Sequence, residues 1–161
     1  MDRTPTPPRA QARVLAALAA QGLTDVPIKE FSESTATAVD AASAIGTSVE
    51  RIVKSLVFAA GDRPILVLAS GPNRVDVHKL GALVGASVGR ANASQVREWT
   101  GFAIGGVPPL GHDRPLRTVV DASLRRFDDV WCAAGTPRSV FNVETARLLE
   151  ALPEADVREV A

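Results

Sequence analysis

Apolar residues recur along the chain with two spacings. Val14, Leu15 and Leu18 fall at helical spacing, and Gly22 supplies the stop, so the pattern predicts a first helix. The run Ile52-Val53-Lys54-Ser55-Leu56-Val57-Phe58 instead reads as a strand. Period two places Ile52, Lys54, Leu56 and Phe58 on one face and Val53, Ser55 and Val57 on the other. Gly61-Asp62-Arg63-Pro64 is turn chemistry, and Ile65-Leu66-Val67-Leu68-Ala69 beyond it completes an expected hairpin.

Capping signals punctuate the rest. Thr37, with Asp40 three positions on, predicts an N-cap for a helix that Gly46 ends, and Ser48 opens a further turn into the Lys54 strand. Asp76 is expected to cap a helix running to Leu83 and stopped by Gly85, and Ser94 to cap residues 95–100 before Gly101. Residues 27–31, the surroundings of Val88, and residues 102–104, 116–120, 130–134 and 140–143 read as extended; residues 145–152 read as the closing helix. Strands mixed with helices, joined by hairpins and crossovers, predict an α/β domain with a mixed sheet flanked by helices. Residues 1–8 read as a flexible Pro/Thr-rich tail and residues 9–161 as one domain, without repeat or linker.

Composition narrows the function classes. At 161 residues, with 46% hydrophobic and 22% charged positions, the chain buries a full core without staples. Eighteen basic residues balance eighteen acidic ones, so no global field draws it to nucleic acid, and any RNA contact falls to a local patch. Its single cysteine, Cys132, excludes a disulfide framework and, following Trp131 in an apolar run, reads as a core thiol. Two histidines, His78 and His112, without paired ligands argue against a metal site, and no phosphate-loop or dinucleotide glycine pattern implies a cofactor. No segment has the length of a membrane span or the apolar core of a signal peptide, so a cytoplasmic location is expected.

Two features carry candidate chemistry. The loop Gly105-Gly106-Val107-Pro108-Pro109-Leu110-Gly111-His112 sets permissive glycines beside φ-fixing prolines, which makes a rigid loop able to aim N–H groups at an oxygen. It also reads as an ordinary connection. Lys54, on the oilier strand face, either snorkels out at a strand end or sits in a cleft as a poised cation.

The ordered combination of Ile52 to Phe58, then Asn73-Arg74-Val75-Asp76 before a helix ending Leu83-Val84-Gly85, then Thr100-Gly101-Phe102-Ala103-Ile104 into the Gly/Pro loop, then Val119-Val120-Asp121-Ala122-Ser123-Leu124, resembles the YbaK family. These are freestanding relatives of the editing domain inserted in bacterial prolyl-tRNA synthetases. The resemblance covers roughly residues 26–149. It implies a mixed, partly barrel-like sheet flanked by helices, and hydrolysis of amino acids wrongly esterified to tRNA. The family's lysine falls on Lys54, its substrate loop on Gly105 to Gly111, its acidic position on Asp121 and its later glycine loop on Gly135. The chain departs at Gly135-Thr136-Pro137, where many relatives carry a basic glycine-rich turn, and at His112, where several carry glutamine.

An aminoacyl ester is already activated, so stabilising its oxyanion and placing water can suffice for hydrolysis. The expected catalytic set is therefore Lys54, Gly105 and Gly106. The expected substrate-binding set is Ser55, Val107, Pro108, Gly111, His112, Asp121, Gly135 and Thr136. Asp121 reads first as a helix N-cap and second as an orienting group, His112 as a loop hydrogen-bonder, and Ser55 as a strand residue on the opposite face from Lys54. The expected activity is metal-independent, cofactor-free trans-editing of tRNA carrying a small amino acid such as Cys or Ala, with tRNA-Pro the candidate carrier. Arg74, Lys79, Arg114 and Arg138 are candidate rim cations for the tRNA 3′ end, against a plain reading as solvated surface. A synthetase is a candidate second partner. The alternatives are a non-catalytic aminoacyl or small-molecule binding module using the same pocket, and an esterase acting on an aminoacyl small molecule.

Overall fold

The computed structural model describes residues 9–161, and the tail expected over residues 1–8 lies outside them. Helix α1 (Arg9–Ala20) buries Val14 and Leu18 together with Gln11, and Gly22 ends it at φ 79°. Strand β1 (Ile28–Glu30) precedes α2 (Ala38–Ile45), whose cap Thr37 accepts from the Asp40 amide and whose Gly46 closes it in the left-handed region. A 3-10 turn at Val49–Arg51 delivers β2 (Val53–Ala60), which returns through Gly61 as β3 (Arg63–Ser70). Next come α3 (Val77–Val84), capped by Asp76, then β4 (Gly89–Arg90) and α4 (Ala93–Thr100). After the Gly/Pro loop follow β5 (Arg117–Asp121), a 3-10 turn at Ala122–Arg126, β6 (Asp129–Ala133), β7 (Ser139–Glu144), α5 (Thr145–Glu150) and β8 (Asp156–Arg158).

The strands form one five-stranded mixed sheet, ordered β4-β2-β3-β5-β8, and a three-stranded antiparallel one, β1-β7-β6. The β2–β3 hairpin is antiparallel, whereas β5 joins β3, and β8 joins β5, in parallel. One isolated bridge, Ile52 to Trp131, links the two sheets, so the hydrogen-bonded ladder is not a continuous barrel.

The alternation in β2 is observed, and both of its faces are covered. Val53 and Val57 join Leu66, Leu68, Val120 and the α1 residues Val14 and Leu18 in the main core. Phe58 and Ala60 pack with Ile65, Val67, Val119 and Leu80 of α3 in a second cluster. Apolar strands covered on both sides are what parallel pairing at β3–β5 requires.

Two local expectations are corrected, and one strand is added. Asn92, not Ser94, caps α4: its side chain accepts from the Gln95 amide while Gln95 reaches back to the Asn92 amide, a reciprocal pair that Ser94 is too late in sequence to make. Residues 102–104 form no strand, because the Phe102 amide is taken by the Thr100 hydroxyl and Ala103 closes a turn with Gly106. Strand β8 was missed, since its three residues carry too little apolar pattern to read.

Candidate active site

Strand β2 is only partly covered at its outer edge. The two residues of β4 pair with Phe58 and Ala59, and the bridge to Trp131 holds Ile52. Between them lies a cavity of about 610 Å³, walled by β2 on one side and by Cys132 and Ala133 of β6 on the other. The Val57 carbonyl accepts from the Ala91 amide on this edge. Ser55, two residues earlier, shares that backbone orientation, so its N–H and C=O face the gap.

Lys54 resolves to the cleft alternative. Its ammonium donates to the Asn73 carbonyl at 2.5 Å, and the residue lines the cavity. Burial and the nearby Arg90 charge hold its pKa below the ordinary lysine value, with Asp121 pulling the other way. The Asn73 side-chain amide donates to Asp121 at 2.8 Å, and the amides of Ser70 and Ser123 donate to the same carboxylate. Burial would raise the Asp121 pKa, but these hydrogen bonds outweigh it and hold the carboxyl below its usual range. Asp121 is thus both the N-cap of the 3-10 turn and an orienting group, acting on Asn73 and not on the Gly/Pro loop.

The loop divides into wall and support. Gly105 and Val107 line the cavity, and no acceptor among the described residues takes the N–H of either. The Gly106 amide donates to the Ala103 carbonyl at 3.0 Å, so the donor role expected of it falls instead to its neighbours. A Cβ on Gly106 would meet the Thr136 backbone at 2.9 Å, which makes this glycine the contact between the two loops.

Of the remaining expected substrate contacts, Ser55 lines the cavity, whereas Pro108, Gly111, His112, Asp121, Gly135 and Thr136 stand behind its wall. Gly111 and Gly135 admit α1: added Cβ atoms would meet Ala17 at 3.0 Å and the Ala10 carbonyl at 2.8 Å. His112 donates from Nε2 to the Pro108 carbonyl and lies edge-on to Phe102, with burial lowering its pKa. Thr136 shares a hydrogen bond with Ser139. Cys132 contributes to the wall, but burial pushes its thiol pKa far up, so it is no nucleophile.

Among the rim candidates, only Arg74 lines the cavity. Lys79 donates to the Ala161 carbonyl, Arg114 stacks on Trp99, and Arg138 lies on the turn beyond Thr136. Sequence reasoning missed Arg90, which stacks on Phe58 at the cavity wall, and Asn73, whose part is played by a backbone carbonyl. It also missed Arg13 of α1, which clamps both ends of the loop by donating to the Gly101 and Gly111 carbonyls, pairing with Asp113 and stacking on Phe102 at 4.5 Å. Nothing in the spacing of Arg13 separates it from a solvated helix arginine.

The profile of the family described as "Aminoacyl-tRNA editing domain" matches residues 32–151, a span that contains the whole cavity. The chain belongs to the aminoacyl-tRNA editing domain family. A crystal structure provisionally assigned as a trans-editing enzyme for prolyl tRNA synthetase superimposes on this member with a TM-score of 0.90 at 42% identity, covering 96% of this chain and 98% of that one. The uncharacterized protein YwhH of Bacillus subtilis is 37% identical over 124 residues, which span 76% of this chain and 79% of YwhH. The proline--tRNA ligase of Lactobacillus gasseri is 34% identical over 99 residues, 61% of this chain but only 17% of the ligase. The similarity is therefore to one segment of that larger enzyme. No helix among the described residues of this editing domain is long and apolar enough to cross a membrane.

Proposed function

We propose that the protein is a trans-acting deacylase that hydrolyses the ester between a small, wrongly attached amino acid, such as Cys or Ala, and the 3′ end of a tRNA, with tRNA-Pro the candidate carrier, in the cytoplasm. The observation that carries this reading is the pairing, across one cavity, of a partly buried Lys54 ammonium with the amides of Gly105 and Val107, which no acceptor among the described residues engages. An anionic polynucleotide and a carbonyl that gains negative charge are the two things such a cavity attracts.

The walls also suggest how the substrate divides. Among the described residues, Arg74 and Arg90, with Lys54, supply the only charges lining the cavity, and none of the lining residues is Asp, Glu or His. Ile104 and Val77 line it while remaining 52% and 37% exposed, giving an apolar mouth against which a terminal base can rest. The nucleotide belongs at this cationic, apolar mouth, and the acyl group inside.

Hydrolysis then needs no side-chain nucleophile. Water forms a bond to the acyl carbon, the Gly105 and Val107 amides donate to the developing oxyanion, and the bond from acyl carbon to ribose oxygen breaks. One proton of the water goes to the leaving ribose oxygen and the other to solvent, giving free tRNA and the amino acid carboxylate. Lys54 fixes the ribose and phosphate side, where its ammonium meets negative charge instead of the substrate's own α-ammonium. Among the described residues the cavity walls carry no carboxylate or imidazole to hold a divalent cation, and the chemistry read here is metal-independent. The test is a panel of tRNAs, each charged with one amino acid, incubated with purified protein while release is followed. Hydrolysis confined to small amino acids is expected, and tight binding without release overturns the reading in favour of a binding module.

A further inference from the structure

Three buried side-chain polar atoms in the described residues lack a hydrogen-bond partner: Gln11 Nε2, Ser55 Oγ and Thr145 Oγ1. Of the three, only Ser55 Oγ belongs to a residue that lines the cavity, and because it is shielded there a ligand reaches it on a change of side-chain rotamer. A buried hydroxyl without a partner is unfavourable, and in a ligand cavity the missing partner is a group the ligand brings. We propose that Ser55 is a specificity-determining residue whose hydroxyl pairs with a β-hydroxyl or β-thiol of the acyl group, so that the cavity favours seryl or cysteinyl esters over alanyl ones. This rests on the deacylase reading above and extends it to the side chain of the amino acid.

The direction of Ser55 assigns its partner. Ser55 stands on β2 between Val53 and Val57, which belong to the main core with Val96, Val107 and Cys132. All five of these neighbours also line the cavity. Lys54 points to the other face of the strand, towards Asn73 and Arg90. The ribose and phosphates therefore belong with Lys54, and the acyl side chain meets the apolar wall around Ser55; Thr35 and Thr37 also line the cavity, but their hydroxyls are engaged by the Pro137 carbonyl and the Asp40 amide. Five apolar or thiol-bearing neighbours leave the Ser55 hydroxyl a small group as partner. The α-ammonium has a different acceptor, the Ser55 carbonyl on the open edge of β2, and does not need Oγ.

A hydroxyl able to donate and accept satisfies a serine or cysteine side chain and has nothing to offer a methyl group. A site built to hydrogen-bond a substrate group discriminates against the analogue lacking it, because the site's own group is then left unpaired. The bulk of Val53 and Val57 on either side limits the substrate to a small side chain.

The experiment is single-turnover hydrolysis of tRNA charged separately with Ser, Cys and Ala by the wild type, Ser55→Ala, Ser55→Thr and Thr145→Val. The wild type is expected to prefer seryl or cysteinyl tRNA over alanyl tRNA, the two arms showing whether hydroxyl or thiol is read. Ser55→Ala should lower the ratio of that preferred rate to the alanyl rate by about 10- to 100-fold, the size of one buried hydrogen bond. Ser55→Thr, which keeps the hydroxyl, should preserve much of the ratio. Thr145→Val removes the other unpartnered hydroxyl, away from the cavity, and should leave the ratio unchanged. An unaltered ratio in Ser55→Ala, or equal loss on all three substrates, overturns the inference while leaving the deacylase reading intact. Wild-type preference for alanyl tRNA also overturns it. A wild type that releases no amino acid from any charged tRNA overturns the deacylase reading instead.

Discussion

Asn73 is gripped twice: its carbonyl accepts from Lys54 Nζ at 2.5 Å, and its side-chain amide donates to Asp121 at 2.8 Å. One residue thus ties the cavity's cation to a buried carboxylate that does not itself reach the cavity. Asp121 is anchored in turn by the backbone amides of Ser70, at the end of β3, and Ser123. The position of the ammonium is set by the end of the five-stranded sheet, and a rigid element is what a charge must stand on to be aimed within a fraction of an ångström.

Lys54→Met should abolish deacylation, with a loss of at least about 100-fold in single turnover, while melting no lower than the wild type. Folding disfavours the charged form of Lys54, so the residue costs stability below its folded pKa, and the cost fades as pH rises towards 10.5. Lys54→Met removes that cost, so any stability gain should be present at neutral pH and close at alkaline pH. Lys54→Arg should not rescue, since a planar fork cannot replace a compact ammonium facing one carbonyl. Melts across pH alongside hydrolysis rates check both halves, and a Lys54→Met protein with wild-type turnover removes Lys54 from the mechanism.

Asp121→Asn separates capping from orientation. The substitution keeps the shape but removes the charge that accepts from Asn73, Ser70 and Ser123, and charge-assisted hydrogen bonds of this kind are worth about 1.5–3 kcal/mol each. A loss of about 1–3 kcal/mol in denaturant unfolding is expected, because an amide still fills the site. The folded-state pKa of Asp121 is depressed, so its contribution is present above the unfolded value and disappears as pH falls through the folded one. The variant's stability should therefore fall less steeply below about pH 4 than the wild type's. Turnover should drop as well, since Asn73 loses its anchor. Unchanged turnover in a destabilised variant assigns Asp121 to capping alone.

How much of this was legible in sequence differs between elements for physical reasons. The β2–β3 hairpin and the helix caps at Thr37 and Asp76 were readable because alternation and capping are local, settled within a few residues. Asp121 was readable as a cap for the same reason, but its hold on Asn73 spans 48 positions and leaves no periodic trace. Gly105 and Gly106 look equivalent as letters. Only the fold shows one facing the cavity at φ 87° and the other pressed on Thr136 with its amide engaged. Arg13 and Arg90 were illegible because a stacked or clamping arginine and a solvated one share the same sequence context.

Gly106→Val tests that difference. A Cβ there lies within 2.9 Å of the Thr136 backbone, which cannot swing away as a flexible side chain can. Both the melting temperature and turnover should fall together, by about 1–3 kcal/mol in stability for an overpacked contact. Gly105→Ala adds positive-φ strain and a 2.8 Å contact with the Ala36 Cβ at the cavity itself, so its turnover should fall by more than its melting temperature accounts for. Parallel losses in both variants place the oxyanion donors outside this loop.

The cavity's cations predict how the substrate binds. Arg74 makes no ion pair among the described residues, and Arg90 stacks on Phe58 with its charge turned to the same space as Lys54. Each phosphate neutralised releases counterions, giving a slope near −0.7 per contact on a single strand, so Lys54, Arg74 and Arg90 together imply about −2.1 in log affinity against log salt. Arg74→Gln should lower that slope by about 0.7 and leave the preference among amino acids unchanged, because phosphates hold the strand and carry no information about the acyl group. Arg90→Gln should do the same and also raise the Lys54 pKa, shifting the alkaline limb of the rate to higher pH, since a charge that disfavours the ammonium has been removed. Binding of uncharged tRNA at three salt concentrations, with hydrolysis rates across pH corrected for spontaneous ester loss, measures both effects. A much steeper wild-type slope would put the main tRNA contact on a surface other than this mouth.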